Sequence, residues 1–131
     1  MIKQVLKIQD YWKVIVYYDI DYNFFDYINN TLKEIDCEDI TIKRIYDNMY
    51  HNKAKGVTIS NIKLHISVVL FNKHLFKYDY INSIVHECEH IKQSILNAYN
   101  IEDKGEPPAY LIGYIGMKLL QPIVNNSLAI I

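Results

Sequence analysis

An α+β fold, a small twisted sheet of about four strands carrying helices, is what this sequence predicts, and three observations predict it. Two β-branched and aromatic runs open the chain, "IKQVLKI" and "WKVIVYYDI". Two more, "KGVTISN" and "IKLHISVVLFN", lie near its middle. The remaining long segments repeat their apolar residues at steps of three and four, the period of a helix. At 131 residues the chain has the length of one ordinary domain, 1–131, large enough to bury a core without disulfide or metal staples.

Each element has its own justification. "WKVIVYYDI" reads as a strand buried on both faces, with "IKQVLKI" pairing beside it. From Asp21, a candidate N-cap, Phe25, Ile28, Leu32 and Ile35 keep helical spacing. In "EDITIKRIYDNMY" the β-branched residues suggest a strand, but Ile42, Ile45, Tyr46 and Met49 fall on a helical period, and Glu38 and Asp39 suit a helix start. The two middle strands are expected to meet around Asn61, with Ile62, Leu64, Ile66, Val68 and Leu70 on one face. Asp79 can cap the next helix, whose apolar stripe is Ile81, Ile84, Val85, Cys88, Ile91, Ile95 and Tyr99. A polar loop then leads to "AYLIGYIGMKLL", ended by Gln121 and Pro122. Within it Ala109, Gly113 and Gly116 are small enough to let this helix pack close.

Composition narrows the function classes. An apolar share of 50% against a charged share of 22% excludes intrinsic disorder, and no apolar run is long enough to span a bilayer. Net charge is −1 and the Lys and Arg residues form no basic stripe, so neither nucleic acid nor an anionic membrane is an expected partner. Cys37 and Cys88 are far apart and outside any CxxC pattern, which suits free thiols in a reducing compartment. The opening "MIKQVLKIQDYWK" has no secretory character, so the expected location is the cytoplasm.

The chemistry concentrates in "HECEH", residues 86–90. On a helix His86 and His90 stand about 40° apart on one face, so their imidazoles can share one ion, and zinc accepts such a pair. Glu87 lies one step round, placed to take a proton from a metal-bound water rather than to join the same ligand set. A solvated helix face would carry two histidines without purpose. However, a chance His-Glu-x-x-His match from this composition is on the order of one in a hundred. A catalytic zinc also needs a third protein ligand. Glu106 is the first candidate, with Glu102 and Asp103 as substitutes because Pro107 restricts the backbone at Glu106. His74 is a weaker candidate, better described as a surface-loop histidine. Tyr110 or Tyr114 could stabilise an oxyanion, although buried packing is the better description of either.

"HECEH" followed by "EPPAYLIGYIG" resembles the gluzincin side of the zincin-like metallopeptidases, and more closely a family of small proteins encoded by bacteriophages and prophages of gut bacteria. The resemblance runs over nearly the whole chain, but only these two motifs are specific. It implies a zincin-like fold with the HExxH motif on the active-site helix. Carried over by position, it makes His86 and His90 zinc ligands, Glu87 the general base and Glu106 the third ligand. The implied activity is zinc-dependent peptide-bond hydrolysis on a peptide or protein substrate, with the last two helices forming the cleft and "KLHISVVLF" as the edge strand that holds substrate. The rival expectation is a phage structural or interaction protein with the same fold, its zinc structural or absent and its partner a phage or host protein. A phage-encoded chain would work in the host cytoplasm or the virion.

Overall fold

The computed structural model describes residues 1–128. In chain order the elements are β1 (Ile2–Ile8), β2 (Trp12–Tyr18), α1 (Phe25–Glu34), α2 (Asp39–Tyr50), β3 (Gly56–Asn61), β4 (Ile66–Phe71), α3 (Lys77–Tyr99), α4 (Glu106–Leu119) and α5 (Gln121–Val124), with a short 3-10 turn at Tyr22–Phe24 ahead of α1. The four strands form one mixed sheet in the order β1-β2-β4-β3. β2 and β4 run parallel at its centre, Lys13 opposite Ile66 and Tyr17 opposite Leu70, while β1 and β3 are antiparallel edges. The α+β class and the strand number agree with the sequence expectation.

A parallel pair needs a crossover, and α1, α2 and β3 lie between β2 and β4 in the chain. Helices therefore cover both faces of the sheet. Alternate residues of the central strands enter two cores: Ile15, Tyr17, Val68 and Leu70 pack with Ile28, Leu32, Ile45 and Met49 of α1 and α2. Val14, Val16, Tyr18, Val69 and Phe71 pack with Ile84, Cys88, Ile91 and Ile95 of α3 and with Ile115 and Leu119 of α4. A sheet covered on both faces selects continuous apolar strands. This is why Val69 and Phe71 are as buried as Val68 and Leu70. Polar groups inside the sheet are paired. Trp12 Nε1–H donates to Ser67 Oγ at 3.0 Å, and the Ser67 and Ser60 hydroxyls are 2.7 Å apart, a thread crossing β2, β4 and β3.

Several local expectations are corrected. Ile62 to His65 form a turn, not strand: the Leu64 N–H donates to Asn61 Oδ1 at 3.1 Å and His65 takes φ 54°. Asp21 caps the 3-10 turn through the Asn23 N–H at 3.0 Å, and α1 follows it. α3 starts at Lys77, so Asp79 sits in its first turn instead of capping it. Val85 and Tyr99 face solvent, because the helix turns Tyr80, Glu87 and Lys92 inward with Ile84, Cys88 and Ile91. The end of α4 is as expected: it stops at Leu119, and Gln121 opens α5 with Pro122 in its first turn, where a missing N–H is tolerated. A methyl group on Gly113 or Gly116 would meet open space, and Ala109 is exposed, so these small residues do not serve close packing. No helix among the described residues is long and apolar enough to cross a membrane.

Replacing Ser67 by Ala would leave the buried Trp12 N–H without its acceptor and should destabilise the fold by about 1–3 kcal/mol. Val85→Ala, on the exposed side of α3, should stay within about 0.5 kcal/mol of the parent. Chemical denaturation of the two variants measures both.

Candidate functional site

His86, Glu87 and His90 lie within α3, near its middle. Spacing by one helical turn brings the imidazoles together: their Nε2 atoms are 3.2 Å apart and the rings cross at 72°. Two nitrogens, each about 2.0–2.1 Å from one tetrahedral zinc, would stand about 3.3 Å from each other. The pair therefore has the separation of two ligands on one ion. Both residues are exposed, the His86 side chain by 68%.

Glu87 points the other way, into the body of the protein, and only 4% of it is exposed. Its Oε1 accepts a hydrogen bond from Thr58 Oγ1 at 2.9 Å, while Oε2 lies 4.0 Å from His86 Nε2. Gly56 makes room for it. A Cβ there would come within 3.3 Å of Glu87 Cγ and 3.1 Å of Phe71 Cδ1, so α3 and β3 approach closely at this point. A buried carboxylate requires a hydrogen bond or a counter-charge. Thr58 satisfies one oxygen, and the other is turned toward the imidazole pair.

The cleft at these residues has a volume of about 290 Å³, walled by Lys55 and Gly56 on one side and by Asn82, Ser83, His86 and Glu87 of α3 on the other. This corrects two expectations. α4 lines none of this cleft, which opens between α3 and the chain entering β3. The strand "KLHISVVLF" is no edge either, since β4 pairs with β2 and β3 at once; the edge beside the site is β3.

The acids proposed as third ligand are distributed unevenly. Asp103 Oδ2 is 2.9 Å from Lys92 Nζ and accepts from Gln93 Nε2 at 2.6 Å. Glu102 pairs with Lys104 at 2.9 Å. Glu106 is exposed at the first position of α4, after Gly105 with φ 77°, and makes no ion pair or side-chain hydrogen bond among the described residues. Pro107 lines an apolar groove together with Leu96 and Tyr99, and α4 packs on α3. Among the described residues no group of three or more His, Cys, Asp and Glu side chains is gathered as a metal site, so Glu106 is not brought onto the histidine pair.

The remaining candidates lie elsewhere. Tyr110 is 73% exposed and Tyr114 38%, and both line a separate groove with Ile8, Gln9 and Tyr11. Neither packs inside the protein. His74 is no surface histidine: it is buried, stacked on Tyr80 at 4.1 Å, with Nδ1 2.7 Å from the Asn72 carbonyl and Nε2 2.8 Å from Ser83 Oγ. Cys37 and Cys88 are unpaired, and burial pushes the Cys88 thiol up to about 12, which makes it a poor nucleophile. Sequence reasoning missed Thr58, Gly56 and Ser83. Thr58 reaches Glu87 across 29 residues of chain, a distance at which no spacing pattern signals the contact.

Lys92, buried on α3, grips Glu89 at 2.9 Å and Asp103 at 2.9 Å and so holds the loop that precedes α4. Its hydrogen bonds to Asp103 and Glu89 raise the ammonium above the usual lysine range, and those to Lys92 hold both carboxylates below theirs. The carboxylate contributions are therefore present above the ordinary carboxylate range and lost as pH falls through the depressed values. The lysine contribution is present below its ordinary range and lost as pH rises through the elevated one. Amide hydrogen exchange in residues 100–105 should accordingly be slowest, after correction for intrinsic rates, across neutral pH and should rise at both extremes. Lys92→Met should give the fast-exchanging loop at every pH. No protein-family model, no curated protein and no solved structure matches the chain.

Proposed function

We propose that the protein is a zinc-dependent metallopeptidase with a zincin-like fold, related to the small gluzincin-type proteins of phages and prophages, and that it hydrolyses peptide bonds in the cytoplasm, the host's if it is phage-encoded. One observation carries this reading: two imidazole nitrogens 3.2 Å apart on a helix, beside a buried carboxylate that aims one oxygen at them. The donor set suits zinc in chemistry and in separation. His86 and His90 would hold the ion. Glu106 is assigned as third ligand because Asp103 and Glu102 are committed to Lys92 and Lys104.

Bound there, zinc would supply an acidified water and polarise the scissile carbonyl. Glu87 moves the proton. With Oε1 held by Thr58, Oε2 is the oxygen available to accept a proton from the attacking water and return it to the leaving amine. The substrate is an extended peptide added along the open edge of β3, its main chain pairing with the groups that β4 leaves free.

A second reading, an interaction protein with zinc structural or absent, draws on a different face. There Tyr11, Pro107, Leu111, Tyr110 and Tyr114 form an exposed aromatic and apolar groove suited to a phage or host protein. Metal content and proteolysis separate the two. On the peptidase reading Glu87→Gln retains one zinc per chain and loses about 10²–10⁴ of its hydrolysis of a mixed peptide library. Glu106→Ala weakens zinc binding, and Asp103→Ala and Glu102→Ala leave it unchanged. Equal hydrolysis by the parent and Glu87→Gln would reject the assigned base. A metal-free native protein without cleavage would favour the interaction reading.

A further inference from the structure

The wall of the cleft opposite Lys55 carries a second chemical device that the metal-dependent reading does not use. His74 is held from three sides. Its ring stacks on Tyr80 at 4.1 Å, Nδ1 is 2.7 Å from the Asn72 carbonyl, and Nε2 is 2.8 Å from Ser83 Oγ. A carbonyl oxygen only accepts, so the Nδ1 position carries the hydrogen, the neutral ring keeps its lone pair on Nε2, and the Ser83 hydroxyl donates to it. The carbonyl is itself fixed. Asn72 Nδ2 donates to the Met49 carbonyl at 2.8 Å, and the Asn72 N–H donates to the Lys55 carbonyl at 3.0 Å. Ser83 is half-buried and opens on the cleft, one helical turn before Glu87 on the same face of α3. Hydroxyl, base and orienting acceptor in that order are what a nucleophilic serine requires.

We propose that Ser83 is a nucleophile activated by His74, able to form a covalent ester with acyl or phosphoryl compounds that enter the cleft between α3 and β3. In the step, Ser83 Oγ forms a bond to the carbonyl carbon or phosphorus as its proton passes to His74 Nε2. The bond to the leaving group then breaks, and the leaving group departs with the electron pair and takes the proton from Nε2. Water, deprotonated by the same nitrogen, hydrolyses an acyl ester and restores both residues. Lys55 and Asn82 line the same cleft and carry N–H donors for the charge that develops on the substrate oxygen. Burial is the main influence on His74 and lowers its proton affinity, as Lys55 also does, against the opposing pull of the Asn72 carbonyl, Asp19 and Asp79. The imidazole is therefore neutral, and the base available, through neutral pH.

The inference goes beyond the metallopeptidase reading and does not depend on it, so its test uses full-length protein stripped of metal with EDTA. Diisopropyl fluorophosphate should label Ser83 in a one-to-one ratio, with the adduct located by peptide mass spectrometry, and p-nitrophenyl acetate should release a stoichiometric burst of p-nitrophenolate. Ser83→Ala should abolish both. His74→Gln, checked for folding by circular dichroism, should slow labelling by about a hundredfold or more. In the folded parent the labelling rate should be flat through neutral pH and fall in acid as His74 protonates. An unlabelled Ser83, labelling no faster than that of Ser94 on the same helix, or a rate untouched by folded His74→Gln would each overturn the proposal. If the His74 variant does not fold, the comparison of Ser83 with Ser94 in the parent decides alone.

Discussion

The close packing of α3 against the edge strand β3 is the constraint on which the site depends. Gly56 has no side chain where the helix comes nearest, so Glu87 can lie under the sheet edge, and Thr58 on the same strand meets its carboxylate at 2.9 Å. The apolar side of α3 faces the sheet. Ile84, Cys88, Ile91 and Ile95 are seated among Val14, Val16, Val69 and Phe71 of the central strands, and rotating the helix would bring them into water at roughly 1.5–3 kcal/mol for each isoleucine. The outward direction of His86 and His90 is therefore set by burial on the other side of the helix. Packing and chemistry use different faces of one element.

That arrangement also explains where reactive groups can and cannot occur. Strands β2 and β4 are sealed by helices on both faces, and their buried polar groups are paired inside the protein: the Trp12 indole with Ser67, Ser67 with Ser60, and the Tyr17 hydroxyl with Thr31. The rim is more open, with the cleft where the chain enters β3 and the tyrosine-lined groove at the start of α4 among its concave surfaces. Lys92 and Asp103 tie the loop before α4 to α3, and Ile115 and Leu119 seat α4 itself in the core, so Glu106 stands at the head of a helix packed on α3.

Much of this was readable in the residues. Helical spacing marked α1, α2 and α3 even where β-branched residues in α2 argued for a strand, because a face such as Ile42, Ile45 and Met49 must be buried whatever the local propensity. The facing of the two histidines followed from the period alone. Strand order did not: "KLHISVVLF" looks like any half-buried strand, and only the parallel pairing with β2 places it at the centre of the sheet. His74 was misread for a related reason. A histidine between strand and helix is ordinarily exposed, and nothing in "NKHLFKY" announces that Tyr80 and Ser83, further along, fold back over it. Partners across long stretches of chain, Thr58 with Glu87 and His74 with Ser83, are products of topology and leave no spacing to recognise.

The central claim is that one divalent ion is held by the imidazoles of His86 and His90. X-ray absorption at the zinc edge on protein loaded with one equivalent tests it most directly. The account predicts the multiple-scattering signature of two imidazoles at about 2.0–2.1 Å, with the remaining ligands oxygen. A spectrum without histidine scattering, or zinc that washes away before it can be recorded, would contradict it.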